Sequence, residues 1–115
     1  MLSEVTVMKY ELNFFFEWGA NFASIWCKNQ KSFDKFGAGP ISFDNLGLSD
    51  SLKSLLLELG EEYQTALDWD TPQNPSPWNN EHKDSFKVRS KIAYQKLVEE
   101  LGEDYIVNYC VEVYD

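Results

Sequence analysis

The sequence is short of cysteine, histidine and positive charge, and each shortage removes a class of protein. Only Cys27 and Cys110 occur, more than 80 positions apart, and neither sits in a CxxC pair. Metal and redox motifs normally keep one close pair, so two reduced, mostly buried thiols are expected. A disulfide would need neighbouring strands and an oxidising compartment. No apolar run approaches the roughly 20 residues that span a bilayer. Glu4 near the start, with no basic cluster before it, is unlike a signal peptide. The expected compartment is therefore the cytosol, with no membrane partner.

The motifs of common catalysts are missing too. There is no GxSxG, no P-loop and no GxGxxG, and Gly37-Ala-Gly39 runs into Pro40 rather than a Lys-Ser/Thr pair. His82 is the sole histidine, set among charged neighbours in Glu81-His-Lys-Asp84, and is expected on a solvated helix surface. With Asp68 and Asp70 it would make a weak metal constellation, because the spacing lacks the further acids and the glycine of a calcium loop. No metal, cofactor or catalytic residue is assigned. Paired carboxylates are too plentiful in so acidic a chain for any one pair to point to glycosidase-type chemistry.

What the sequence does hold is acid in blocks. Nineteen acids against ten bases give a net charge of −9. Positions 54–82 carry Glu58, Glu61, Glu62, Asp68, Asp70 and Glu81 with no Lys or Arg, and positions 97–115 again hold six acids and no base. Between them Lys83, Lys87, Arg89, Lys91 and Lys96 face Asp84 alone. Such a chain repels phosphate backbones, which disfavours nucleic acid as a partner, and steers a basic protein inward. Solubility alone also accounts for acidity of this kind.

The apolar fraction of 43% and aromatic fraction of 16% support a packed globule, read as one α+β domain over residues 1–115. Residues 5–18 alternate, with Met8, Tyr10, Leu12, Phe14, Phe16 and Trp18 on one face and Phe15 the exception, which predicts a strand covered on one side. Core packing is the ordinary use of such a stripe, ahead of a ligand cavity. A turn at Gly19-Ala-Asn21 leads to a second strand over Phe22–Lys28, and Ile41–Phe43 is a short third candidate. Ser49-Asp50 caps a helix whose stripe of Leu52, Leu55, Leu56, Leu59, Tyr63, Ala66 and Leu67 continues across Gly60. A second helix from about Asn79 buries Phe86, Ala93, Leu97 and Leu101 and ends at Gly102, with Lys83, Lys87 and Lys91 along a solvated row. Alternation returns over Tyr105–Tyr114. The sum is an antiparallel sheet, N-terminal hairpin plus C-terminal strand, with two helices on one face.

Between the helices lies Leu67-Asp-Trp-Asp-Thr-Pro-Gln-Asn-Pro-Ser-Pro-Trp78, whose three prolines remove backbone donors and fix φ. It is a stiff strap, with Trp69 and Trp78 able to anchor it inward or face a partner. The ordinary reading makes both of them core anchors; of the two, Trp78 is the contact candidate and Trp69 is expected in the core.

The run Leu48-Ser-Asp-Ser-Leu52, Leu59-Gly-Glu-Glu-Tyr63, Leu67-Asp-Trp-Asp70 and Pro75-Ser-Pro-Trp78, with Leu101-Gly-Glu-Asp-Tyr105, resembles a pattern in small acidic bacterial proteins. Some of these are immunity partners in polymorphic-toxin and contact-dependent growth inhibition systems. The resemblance covers roughly the C-terminal two-thirds of the chain and brings no catalytic residues. It implies one cytosolic domain that blocks a cognate protein toxin, and a basic nuclease toxin would suit the charge. The expected function is a non-enzymatic binding protein, with Glu61, Glu62, Asp68, Asp70 and Trp78 as contact residues. The alternatives are a small enzyme or ligand-binding domain using His82 or a carboxylate pair, and a self-associating structural subunit. The oligomeric state stays open.

Overall fold

The computed structural model describes residues 8–113. Their elements are β1 (Tyr10–Phe14), β2 (Ile25–Cys27), α1 (Gln30–Phe36), a 3-10 turn (Phe43–Leu46), α2 (Asp50–Gln64), α3 (Asn80–Leu101) and β3 (Tyr105–Tyr109). The expected strand residues 5–7 and Tyr114 fall outside the described part. No helix among the described residues is long and apolar enough to cross a membrane.

The alternating stretches form strands over part of their expected lengths only, and the first two make the expected antiparallel hairpin, with Leu12 opposite Cys27 and Phe14 opposite Ile25. The expectation of a wholly antiparallel sheet is corrected. The order is β2-β1-β3, and β3 runs parallel to β1 with Leu12 opposite Val107. Period-two alternation assigns faces but not direction. Direction follows from the return path, and a crossover that contains whole helices is what a parallel neighbour requires.

Two further differences lie in the segment between the hairpin and α2. A third helix, α1, is nucleated by a capping box at Asn29, whose side chain accepts from the Ser32 amide while Ser32 Oγ accepts from the Asn29 amide. The short strand expected at Ile41–Phe43 is absent. Pro40 makes one bridge to Trp26, the Ile41 amide donates to Ile25 O at 2.8 Å, and the chain then coils into the 3-10 turn.

Ser49 caps α2 through the Leu52 amide at 3.2 Å. Its own amide and hydroxyl both donate to the Glu100 carboxylate, at 2.7 and 2.6 Å, which ties the start of α2 to the end of α3. α2 does run through Gly60, and the reason is the hairpin above it. A Cβ there would lie 2.1 Å from the Asn21 carbonyl oxygen, so only glycine lets the backbones meet.

Leu12, Phe14, Phe16, Leu52, Leu56, Leu59, Phe86, Ala93 and Leu97 fill the space between sheet and helices. Phe86 gathers the rings, with Phe16 at 5.5 Å, Tyr63 at 5.8 Å and Trp78 at 5.0 Å between centroids. Leu101 is only half-buried. Lys83, expected on a solvated row with Lys87 and Lys91, is buried instead. Of the two free thiols Cys27 is buried and Cys110 is exposed, which corrects the expectation for Cys110.

Candidate partner-binding surface

The end of α2, the strap at residues 65–79 and the start of α3 hold all five residues expected to meet a partner. The strap is ordered by one carboxylate. Asp68 Oδ1 accepts the amides of Asp70 and Thr71, both at 3.1 Å, and Oδ2 accepts Asn74 Nδ2 at 3.1 Å. These donors, the Thr71 amide first, hold the Asp68 carboxyl below its ordinary range. Asp68 is therefore engaged in shaping its own loop, an Asx-type turn.

The expected ranking of the two tryptophans is reversed, and Trp69 is not in the core. Trp78 is buried, its indole N–H donates to Thr65 Oγ1 at 2.8 Å, and its ring stacks on His82 at 4.1 Å. Trp69 is 54% exposed, tethered only by an indole N–H donated to the Gln64 carbonyl at 2.7 Å. Trp78 is thus a core anchor. The position carries a legible signal, since it directly precedes the helix cap Asn79, where an apolar side chain folds back over the first turn. Trp69 instead satisfies a carbonyl of the last turn of α2, which has no intrahelical donor.

Glu62 is also engaged. Arg89 grips it in bidentate fashion, Nη1 to Oε1 at 2.6 Å and Nη2 to Oε2 at 2.5 Å. His82 Nε2 lies 2.8 Å from Oε2. The Arg89 hydrogen bonds are the main reason that the Glu62 carboxyl titrates below its ordinary range. The same pairing raises Arg89 above its own usual value. So His82 is a half-buried member of the α2–α3 seam, which corrects the expected solvated position.

Glu61 and Asp70 remain. Both are exposed and neither makes an ion pair among the described residues. Glu61 lies on the outer face of α2 with Asp50, Ser54 and Leu57, at helical spacings of three and four. Within the described residues, no three His, Cys, Asp or Glu side chains gather as a metal site.

What this architecture is used for is indicated by sequence comparison. The profile of the Serratia CdiI immunity protein-like family matches residues 11–112, from β1 to beyond β3. The chain belongs to that family. No curated protein matches it individually. The family assignment agrees with the immunity-type resemblance of the LGEEY, LDWD and PSPW motifs, and it extends over the N-terminal hairpin that those motifs leave out. For an immunity-like fold, the arrangement of the four acids and two tryptophans separates residues that build the α2–α3 connection from residues left to face outward.

Proposed function

We propose that this chain is a non-enzymatic immunity protein that binds and neutralises a cognate toxin domain in the cytosol. The observation that carries the reading is membership of the CdiI immunity protein-like family over nearly the whole described chain. Charge supports the sign of the partner. The outer face of α2 and the strap present Glu58, Glu61 and Asp70 to solvent with no exposed base in positions 54–82. A basic toxin domain is attracted to such a face, and a nuclease, whose groove is built for a phosphate backbone, is the toxin class that fits.

His82 belongs to the packing between α2 and α3. Its ring is stacked on Trp78 and its Nε2 is engaged by a carboxylate that Arg89 also holds.

The test pairs the purified chain with the C-terminal domain encoded by the large gene beside its own. Co-expression should relieve growth inhibition by that domain, and titration calorimetry should give a one-to-one complex. Unrelieved toxicity together with no measurable binding would sink the reading.

A further inference from the structure

We infer that the groove between the hairpin tip and the outer face of α2 is the apolar anchor site for the toxin. It takes an aliphatic or aromatic side chain flanked by an Arg or Lys. The inference rests on the immunity reading and assigns it a surface outside the five residues expected from sequence.

The groove encloses about 580 Å³. Phe22 and Leu57, 63% and 43% exposed, line it together with Pro40. Large apolar side chains left open around a concavity mark binding surfaces more often than flat, scattered ones do. The turn that carries Phe22 is also tied down at residues 17–19. The Gly19 amide donates to Gln64 Oε1 at 2.7 Å, and Gln64 Nε2 donates to the Glu17 and Gly60 carbonyls at 3.0 and 3.1 Å. Trp18 Nε1 donates to the Tyr63 carbonyl at 3.2 Å. With Gly60 admitting the Asn21 backbone, the hairpin tip is clamped on α2, so little entropy remains to be lost at Phe22 on binding.

The rim decides the occupant. Among the described residues that line it Lys53 is the one cation, and it is already bound to Asp44 at 2.9 Å and Asp50 at 3.3 Å. The two aspartates keep their outer sides in water, 80% and 100% exposed, and Glu58 and Glu61 continue the acid along α2. A second copy of this chain would bring the same carboxylates against these. A basic segment is complementary to them, and its neighbouring apolar side chain meets Phe22 and Leu57.

The experiment measures affinity for the toxin domain encoded beside this chain's gene, using wild type, Phe22→Ser, Leu57→Glu and Val88→Glu. Val88 is an exposed apolar residue on α3, outside the groove, so its variant controls for added charge. All four are first shown to be folded by circular dichroism and thermal melting. Loss of at least about tenfold affinity in Phe22→Ser and Leu57→Glu, with Val88→Glu within about twofold of wild type, is the expected result. Wild-type affinity in the folded Phe22→Ser and Leu57→Glu chains overturns the assignment while leaving the immunity reading intact. An equal loss in Val88→Glu overturns it too. Absence of binding by wild type removes the immunity reading and the groove with it. A concentration-dependent dimer in sedimentation that Leu57→Glu abolishes would give the groove to a second copy instead.

Discussion

On the side of α2 that faces α3, Glu62 is held by two Arg89 nitrogens and approached by His82. One residue earlier, Glu61 is exposed and makes no ion pair among the described residues. The strap repeats the contrast. Asp68 gathers two amides and the Asn74 side chain, while Asp70 stays exposed; Trp78 is buried and Trp69 is not. Acids and tryptophans that are equivalent in composition thus divide into a seam that holds the helices together and a face that is available to a partner. Net charge is a poor guide to which acid is free, because folding brings cations from α3 back to some of them.

The tryptophan pair gives the largest expected difference. Trp78→Ala should cost about 3–5 kcal/mol, the usual range for deleting a buried large aromatic side chain. Trp69→Ala removes a half-exposed ring and one hydrogen bond and should cost under about 1 kcal/mol. Urea denaturation of both variants measures the gap. Equal losses would mean that the strap does not have an inner and an outer tryptophan.

Gly60→Ala comes next. Alanine favours a helix over glycine by about 1 kcal/mol. Here its methyl would meet the Asn21 carbonyl at 2.1 Å, and the hairpin tip would have to shift. Overpacking of this kind costs about 1–3 kcal/mol, sometimes more, so a net loss is expected. A more stable Gly60→Ala chain would show that the hairpin is not seated on α2, and it would undo the clamp that positions Phe22.

Glu62→Gln tests the seam directly. The charge-assisted fork to Arg89 is lost, and partial exposure of both side chains reduces the effect to about 1 kcal/mol. Glu61→Gln, with no pair to lose, should stay within about 0.5 kcal/mol of wild type. The pH dependence carries a sign. Arg89 holds the Glu62 carboxyl below its ordinary value of 4.5, so its contribution is fully present above that value. It is lost as pH falls through the lowered one. The gap between wild type and Glu62→Gln should be constant near neutrality and close in acid. A gap that widened in acid would contradict the assignment.

How much of this was legible depends on what periodicity encodes. The stripes in β1, α2 and α3 correctly place Leu12, Phe14, Leu56, Leu59, Phe86 and Leu97 inside, because a face is a local property of spacing. Strand direction is not local, and the parallel pairing of β1 with β3 depends on the path of some 90 intervening residues. α1 is short and depends on one capping box, too little for a periodic pattern. For the site, the acidic block was visible, but the separation of Glu62 from Glu61 needed Arg89, which lies 27 positions away in sequence. Phe22 and Leu57 carried no signal at all, since an exposed apolar residue looks like a core one until its neighbours are known.

The smallest expected effect is kinetic. If the outward acids steer a basic toxin domain, Glu61→Lys and Asp70→Lys should each slow association by roughly threefold to tenfold at low ionic strength. Dissociation and melting temperature should barely change, because neither side chain holds anything in the fold. The difference should shrink as salt shortens the Debye length from about 10 Å at 0.1 M toward about 3 Å at 1 M. Glu62→Gln should move stability more than the on-rate, because it changes the charge by one unit rather than two and does so on the side of α2 that faces α3. Stopped-flow association at two salt concentrations separates the two patterns. Identical on-rates for wild type and both lysine variants at low salt would remove Glu61 and Asp70 from the recognition surface, and leave the apolar groove as the part of α2 still to be tested.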